Sequence, residues 1–344
     1  MTLRTSISDR GAILLGNSVA CDAFNETSPL RVVTHAHADH LVGLRSSLKN
    51  CEKVLMTKAT RDMIEVLKGP RTFNLGITEQ LEYGKSIEYN NEKITLNKAN
   101  HILGAAQVLV ENEKGNRVAY TGDFKSNGTK PIENCDTLVV EATYGSPSFT
   151  RSFNLDISEL LVSMIEKRLR KGSVYVFGYY GKLQEVMQIL RCAHVYVPFV
   201  MPEQILRVSE VCKRHGMTLG DLTSSNNDTG KELLEKNFPC VAFYHMNKRK
   251  SIGIDSSRIC VSGWEFRLPC KQIGRNEHLI ALSDHSDFEE LIEYIKLSKP
   301  KKVITDNYRV KHGEILAREI NKRLGIPAMA MPNRNCKQLT NFFE

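Results

Sequence analysis

The chain has 344 residues, enough for one large or two modest domains with hydrophobic cores of their own, so disulfides are not needed to hold it together. Lys and Arg number 47 against 39 Asp and Glu, a net charge of +8 that suits a polyanionic partner. Nine cysteines, odd in number and without a C-x-x-C pair, read as buried, reduced thiols. No signal-peptide core or bilayer-length apolar run is present, so the expectation is a soluble cytoplasmic protein with no membrane partner.

Along the chain, short β-rich runs alternate with turn residues: 11–15, 30–34, 53–56, 93–96, 107–110, 117–121 and 137–140. Such closely spaced strands predict a layered sheet structure. After Thr150 the texture changes to longer amphipathic segments, starting with a helix over 157–169. A strand at 173–177, a glycine turn at 178–181, a helix from Lys182 to Leu190 and a strand at 194–197 then predict an α/β crossover. The turn lacks a full G-x-G-x-x-G pattern and predicts no dinucleotide site, although its amides and Lys182 can hold a phosphate. Ser224 to Gly230 predicts a loop, strand texture returns at 258–261, and a helix, strand and helix follow at 287–295, 302–305 and 314–323. Basic runs stand at Lys167 to Lys171, Lys248 to Lys250 and Lys299 to Lys302, and the ordinary reading of each is a solvated face.

The strongest chemical signal is Thr34-His-Ala-His-Ala-Asp-His40, directly after an apolar strand. His35 and His37 alternate to offer two imidazoles to one metal, with Asp39 and His40 beside them, an arrangement that needs a tight turn leaving a strand. His101, Asp123, Glu141 and His285 are each ordinary turn or strand-end residues when taken alone. Their shared setting at the ends of predicted strands, the usual place for sites in α/β structures, marks them together as candidates.

The succession Asp22, His35-x-His37-x-Asp39-His40, His101 and Asp123 resembles the motifs of the metallo-β-lactamase superfamily. Glu141 in Glu-Ala-Thr-Tyr-Gly145, the insertion after it and His285 in Ser-Asp-His-Ser-Asp287 resemble the β-CASP nucleases. Val261-Ser-Gly-Trp264 followed by Leu282-Ser-Asp-His285 is similar to the short exonuclease-like proteins associated with DNA ligases or messenger-RNA 3′-end processing. The resemblance implies an α/β fold: a metallo-β-lactamase αββα sandwich with an inserted α/β lid of β-CASP type. Its parts are expected at 1–150, 151–257 (the insertion) and 258–344.

By the same resemblance, His35, His37 and His101 bind one zinc, Asp39 and His40 a second, and Asp123 bridges them, with Asp22 orienting ligands from behind. One or two Zn2+ ions are implied, with Mn2+ as the alternative. A zinc-activated hydroxide, held beside Asp39, attacks the phosphodiester, and His285 paired with Glu141 protonates the leaving oxygen. Ser262, Gly263 and Lys182 fall where relatives contact phosphate. The chain departs from the pattern at Asp306 or Asn307, where many β-CASP enzymes have a further metal-binding His; Asp306 or His312 is the candidate replacement.

The function implied is a nuclease acting exonucleolytically on single-stranded nucleic acid, with a lean to DNA over RNA and with repair or processing proteins as partners. Tyr179, Tyr180 and Trp264 are candidates for stacking on bases or for core packing. Two alternatives remain: a small-molecule thioester or lactam hydrolase, against which the long insertion counts, and an inactive nucleic-acid-binding subunit, against which the intact His-Asp cluster counts.

Overall fold

A computed structural model describes residues 3–73, 76–153 and 155–333. The chain folds as two compact units, one from Met1–Arg61, Phe73–Thr150 and His285–Glu344, the other from Asp62–Thr72 and Arg151–Asp284.

The first unit opens with a six-stranded sheet of β1 (Thr5–Ile7), β2 (Ile13–Leu15), β3 (Val19–Cys21), β4 (Leu30–Val32), β5 (Lys53–Met56) and β6 (Thr78–Gln80), in that spatial order. It begins as an antiparallel meander and becomes parallel from β3 onward. A second sheet is built from β7 (Ser86–Tyr89), β8 (Glu92–Lys98), β9 (Ala106–Asn112), β10 (Arg117–Tyr120) and β11 (Thr137–Val140). The chain then leaves for the second unit. That unit's strands are β12 (Val174–Gly178), β13 (Phe199–Met201), β14 (Leu222–Ser224), β15 (Val241–His245), β16 (Ser257–Val261), β17 (Cys270–Gly274) and β18 (Glu277–Ile280). It returns as β19 (Val303–Asp306) and β20 (Ala328–Met331), which complete the second sheet in the order β20-β19-β11-β10-β9-β8-β7.

Side chains that alternate along these strands make two separate cores. Val108 and Val110 of β9, with Val118 and Tyr120 of β10, face Leu15, Val32 and Leu55 of the first sheet. Leu109 and Ala119, on the other face of the same strands, pack with Phe288, Leu291 and Ile295 and with Leu316 and Ile320, from the helices Phe288–Ser298 and Gly313–Leu324. On the far side the helix Leu44–Asn50 packs on β5. The unit is thus the α/β sandwich of two sheets between helices.

The second unit is a seven-stranded sheet in the order β14-β13-β15-β12-β16-β18-β17, parallel except for β17. This corrects the expected boundary at residue 258. β16 does not rejoin the sandwich; it pairs in parallel with β12, Val174 opposite Ser257, and the change of unit comes at Asp284 and His285.

The strand expected at 194–197 is also absent. The buried Arg191 guanidinium donates to the carbonyls of Val195 and Val197, taking acceptors that a ladder needs, and the strand starts at Phe199 instead. Within the expected loop at 224–230 a helix, Asp228–Glu235, starts with Asn227 accepting from the Gly230 amide at 2.7 Å. The eight described cysteines are free; Cys192 is exposed rather than buried, and Cys336 lies outside the described residues. Among the described residues no helix is long and apolar enough to cross a membrane.

Candidate metal centre

The chemistry-bearing residues of the first unit leave its strands at their C-terminal ends: Asp22 after β3, the run from Thr34 to His40 after β4, Asp123 after β10 and Glu141 after β11, with His101 in the turn between β8 and β9. The turn into Asp123 needs Gly122. Its φ is +57°, and a Cβ there would stand 2.6 Å from the Ala106 carbonyl oxygen, so only glycine fits.

Asp22 organises the run behind it. Fully buried at φ +62°, its carboxylate accepts from the Thr34 amide at 2.8 Å, the Thr34 hydroxyl at 2.7 Å and His40 Nδ1 at 2.7 Å. A carboxylate only accepts, so His40 carries its proton on Nδ1. Because the Thr34 hydroxyl gives its proton to Asp22, its oxygen must accept from His35 Nδ1, 3.1 Å away. His35 is therefore left with a lone pair on Nε2.

That lone pair enters a cluster. His35 Nε2 is 3.2 Å from His37 Nδ1, which is 3.1 Å from His101 Nε2. Asp123 Oδ2 is 3.7 Å from His35 Nε2 and 3.8 Å from His101 Nε2. A single proton shared at His37 Nδ1 can point at only one of its two nitrogen neighbours, whereas one cation can take a lone pair from each of the three imidazoles. Donors bound tetrahedrally at ordinary Zn–N lengths stand about 3.3 Å apart, close to the two nitrogen separations. These four residues could hold a metal ion.

Beside them, His40 Nε2 is buried without a hydrogen-bond partner among the described residues, and lies 3.2 Å from Asp123 Oδ2 and 3.3 Å from Asp39 Oδ2. The charges have the matching sense. Burial first, then His40 and His101, holds the His35 imidazole well below its ordinary range, in its neutral form. Burial alone would lower His40 too, but Asp123 and Asp22 hold it well above the usual imidazole range. Burial raises Asp39 and Asp123, yet their contacts with His40 outweigh it, leaving Asp39 at about 2 and Asp123 well below the carboxylate range. Three carboxylates around one buried imidazole call for positive charge, which a proton on His40 or a cation can supply.

Glu141 and His285 form a second arrangement in the same cleft. His285 Nδ1 lies 2.9 Å and 3.1 Å from the two Glu141 oxygens, and Glu141 Oε1 also accepts from the Phe124 amide at 2.8 Å. The His285 and His101 ring centroids are 4.7 Å apart. A cleft of about 200 Å3 is lined by His37, Asp39, Asp123, Glu141, His285 and Arg309 among others.

No family model matches the chain. An Acidianus ambivalens protein described as "Uncharacterized protein in lig 3'region" is 42% identical over 138 residues, covering 40% of this chain and 99% of that one. DNA ligase 6 of Arabidopsis thaliana is 27% identical over 302 residues, and the RNase J-like protein of Methanocaldococcus jannaschii 26% over 182. The chain belongs to the β-CASP branch of the metallo-β-lactamase superfamily. The matches cover 79% of this β-CASP chain but 21% of the Arabidopsis protein, and 46% of it but 42% of the Methanocaldococcus protein. A crystal structure of a protein of unknown function from Enterococcus faecalis shares the fold at a TM-score of 0.55 and 13% identity, over 83% of this chain and 76% of that one.

Not every candidate joins the cluster. Asp306 is spent elsewhere: Oδ1 accepts from the Tyr308 amide at 2.8 Å and the Arg309 amide at 3.3 Å, and Oδ2 from Arg309 Nη1 at 2.7 Å. His312 stands at the start of the helix Gly313–Leu324, its ring against Phe149. Among the described residues neither belongs to a ligand group with the cluster. The residue that sequence reasoning missed is Arg309. Its nearly buried guanidinium donates to Asp306 and, at 3.2 Å, to the Gly11 carbonyl, and it acts on Asp22 and His40 as a nearby positive charge. The only trace of it in the sequence is the Asp-x-x-Arg spacing after β19.

Lys182, Ser262 and Gly263 belong to the second unit. Lys182 is buried in an ion pair with Asp284 at 2.8 Å, Ser262 Oγ accepts from the Trp264 amide at 3.2 Å, and the Gly263 carbonyl accepts from Arg151 at 3.3 Å. Tyr179 and Trp264 are exposed rather than core residues, while Tyr180 is half-buried.

Proposed function

We propose that the chain is a metal-dependent nuclease that hydrolyses phosphodiester bonds of single-stranded nucleic acid from an end. In this reading His35, His37, His101 and Asp123 hold the first ion, Asp39 and His40 extend the centre, and the second unit is the β-CASP insertion. The observation that carries it is the convergence of a three-imidazole, one-carboxylate cluster with a His285–Glu141 pair in one cleft. The names of two relatives, a DNA ligase and an RNase J-like protein, together with the net charge of +8, favour nucleic acid as the substrate.

A divalent cation such as Zn2+ or Mn2+ supplies two things when bound at such a cluster, a water made acidic near neutral pH and positive charge for the transition state. The protein's own part is positional. Asp22 and Thr34 set the tautomers of His40 and His35 so that each turns a nitrogen lone pair toward the centre. Glu141 keeps a proton on His285 Nδ1 and so assigns Nε2 the exchange of a proton with the leaving oxygen. The amide of Phe124 fixes Glu141 for that task.

The test is cleavage of matched end-labelled single-stranded DNA and RNA by the metal-loaded protein and by a His37→Ala, Asp39→Ala double variant. Nucleotides released stepwise from one end by the wild type, and lost in the variant, are the expected result, and the better-cut strand gives the sugar preference. Bound metal without cleavage of either strand would move the reading to a small-molecule hydrolase or an inactive binding subunit.

A further inference from the structure

The basic run from Lys167 to Lys171 has no part in the metal centre, yet the fold of the second unit gives it company. Lys167, Arg168 and Lys171 line a cavity of about 810 Å3 together with Arg275, brought in by the turn between β17 and β18. The cavity lies at the N-terminal ends of β12 and β16, where it is floored by Ser173 and Ser257, the opposite strand ends from those carrying Tyr179 and Ser262. Among the described residues Asp255 is the one acid on its wall, and its carboxylate lies 3.9 Å from Arg275, in open solvent.

Arg168 is the informative member. Its half-buried guanidinium is held by the Met164 carbonyl at 3.2 Å and by His278 Nδ1 at 2.9 Å. The His278 nitrogen must accept, so the imidazole is neutral on that side and adds no competing charge. Among the described residues no carboxylate pairs with Lys167, Arg168 or Lys171. Holding an arginine partly out of water without a counter-charge is unfavourable unless an anion completes the site, and burial accordingly lowers the Arg168 pKa.

A fixed guanidinium flanked by flexible ammonium groups is suited to phosphate oxygens. The volume lies in the range of ordinary ligand sites. Lys167 stands in the last turn of the helix Ile157–Leu169 and Lys171 in the turn that follows it, so both ammonium groups border Arg168 in the same cavity.

We propose that this cavity is a second phosphate site, which holds the backbone of a nucleic-acid strand on the second unit. The phosphate chemistry stands on the cavity alone, while the choice of a strand as its source rests on the nuclease reading. The test uses the metal-loaded protein and a labelled phosphorothioate oligodeoxythymidylate that resists hydrolysis, with affinity measured across a salt series, beside a thermal-shift titration with pyrophosphate.

Two variants are compared with the wild type: Arg168→Gln with Arg275→Gln, and, as a pair that leaves the half-buried position intact, Lys167→Gln with Lys171→Gln. Each should weaken strand binding roughly tenfold and make the salt slope shallower by about 1.4, about 0.7 per cation removed. Each should also lose the stabilisation by pyrophosphate. Strand affinity and salt slope equal to the wild type in both variants overturn the proposal. Loss of the pyrophosphate effect with strand binding intact overturns the strand as the source of the phosphate. Failure of the nuclease reading would show separately, as a wild type that binds the strand through these residues but does not cut an unmodified one.

Discussion

Asp22 stands behind the His-Asp cluster and not among its ligand groups, yet it fixes two imidazoles, His40 directly and His35 through the Thr34 hydroxyl. Asp22→Asn keeps the size and tolerates the positive φ, since asparagine adopts the left-handed region readily. What changes is polarity. The amide has one acceptor oxygen where the carboxylate has two, so it cannot accept from Thr34 and His40 as before, and its NH2 faces groups that already donate. The tautomers of His35 and His40 lose their reason to be fixed. The expected result is a metal affinity weaker by about 10- to 100-fold, read by competition with a chromophoric chelator, with the far-ultraviolet circular dichroism unchanged. An unchanged affinity would mean that Asp22 serves the turn and not the centre.

At the scale of elements, β2, β4, β5, β8 to β11 and β19 were legible because an apolar strand pattern is a local property of the sequence, whereas β1, β3, β6, β7 and β20 were not expected: each is three or four residues long and all but β3 are mostly half-buried or exposed. The density of ligand-type residues between His35 and His40 was legible for the same reason. β16 was not assignable to a sheet: Arg258-Ile-Cys-Val261 reads as a buried strand anywhere, and its partner β12 lies far upstream. The position of Arg309 was hidden likewise, because what defines it, Gly11 and Asp306 on either side, is set by the packing of β19 and not by neighbours in sequence.

The helix Phe288–Ser298 was legible from its start. Asp287 Oδ1 accepts from the Glu290 amide at 3.0 Å, and Glu290 Oε2 from the Asp287 amide at 2.8 Å, a reciprocal cap. Glu290 also takes the Ser126 hydroxyl at 2.9 Å, and the Ser286 amide donates to the Phe124 carbonyl at 2.7 Å. The cap therefore stitches the segment carrying His285 to the turn carrying Asp123. Asp287→Ala should lower stability by about 0.5–2 kcal/mol, measured by urea unfolding of the metal-free protein, and Asp287→Asn, which keeps the acceptor, should restore most of it.

On the scale of the whole molecule, the candidate centre lies entirely in the first unit, but its parts come from both sides of the excursion at 151–284. His35, His37, His101, Asp123 and Glu141 precede it and His285 follows at once. An ion held there joins loops that the sheets only bring near one another, and ligands that bind only the folded form stabilise it by about 2.7 kcal/mol at a hundredfold excess over Kd. Without the ion, close-set nitrogen lone pairs and three carboxylates face one another, a local cost that opening of the loops relieves. Chelation of the metal-loaded protein should therefore speed amide hydrogen exchange in the segments 34–41, 100–105 and 121–125. The amides of β12, β15 and β16, which are hydrogen-bonded within the second unit's own sheet, should exchange at unchanged rates. Uniform acceleration across both units would mean that the ion supports the global fold, and no change in the three loops would mean that no ion binds at the cluster.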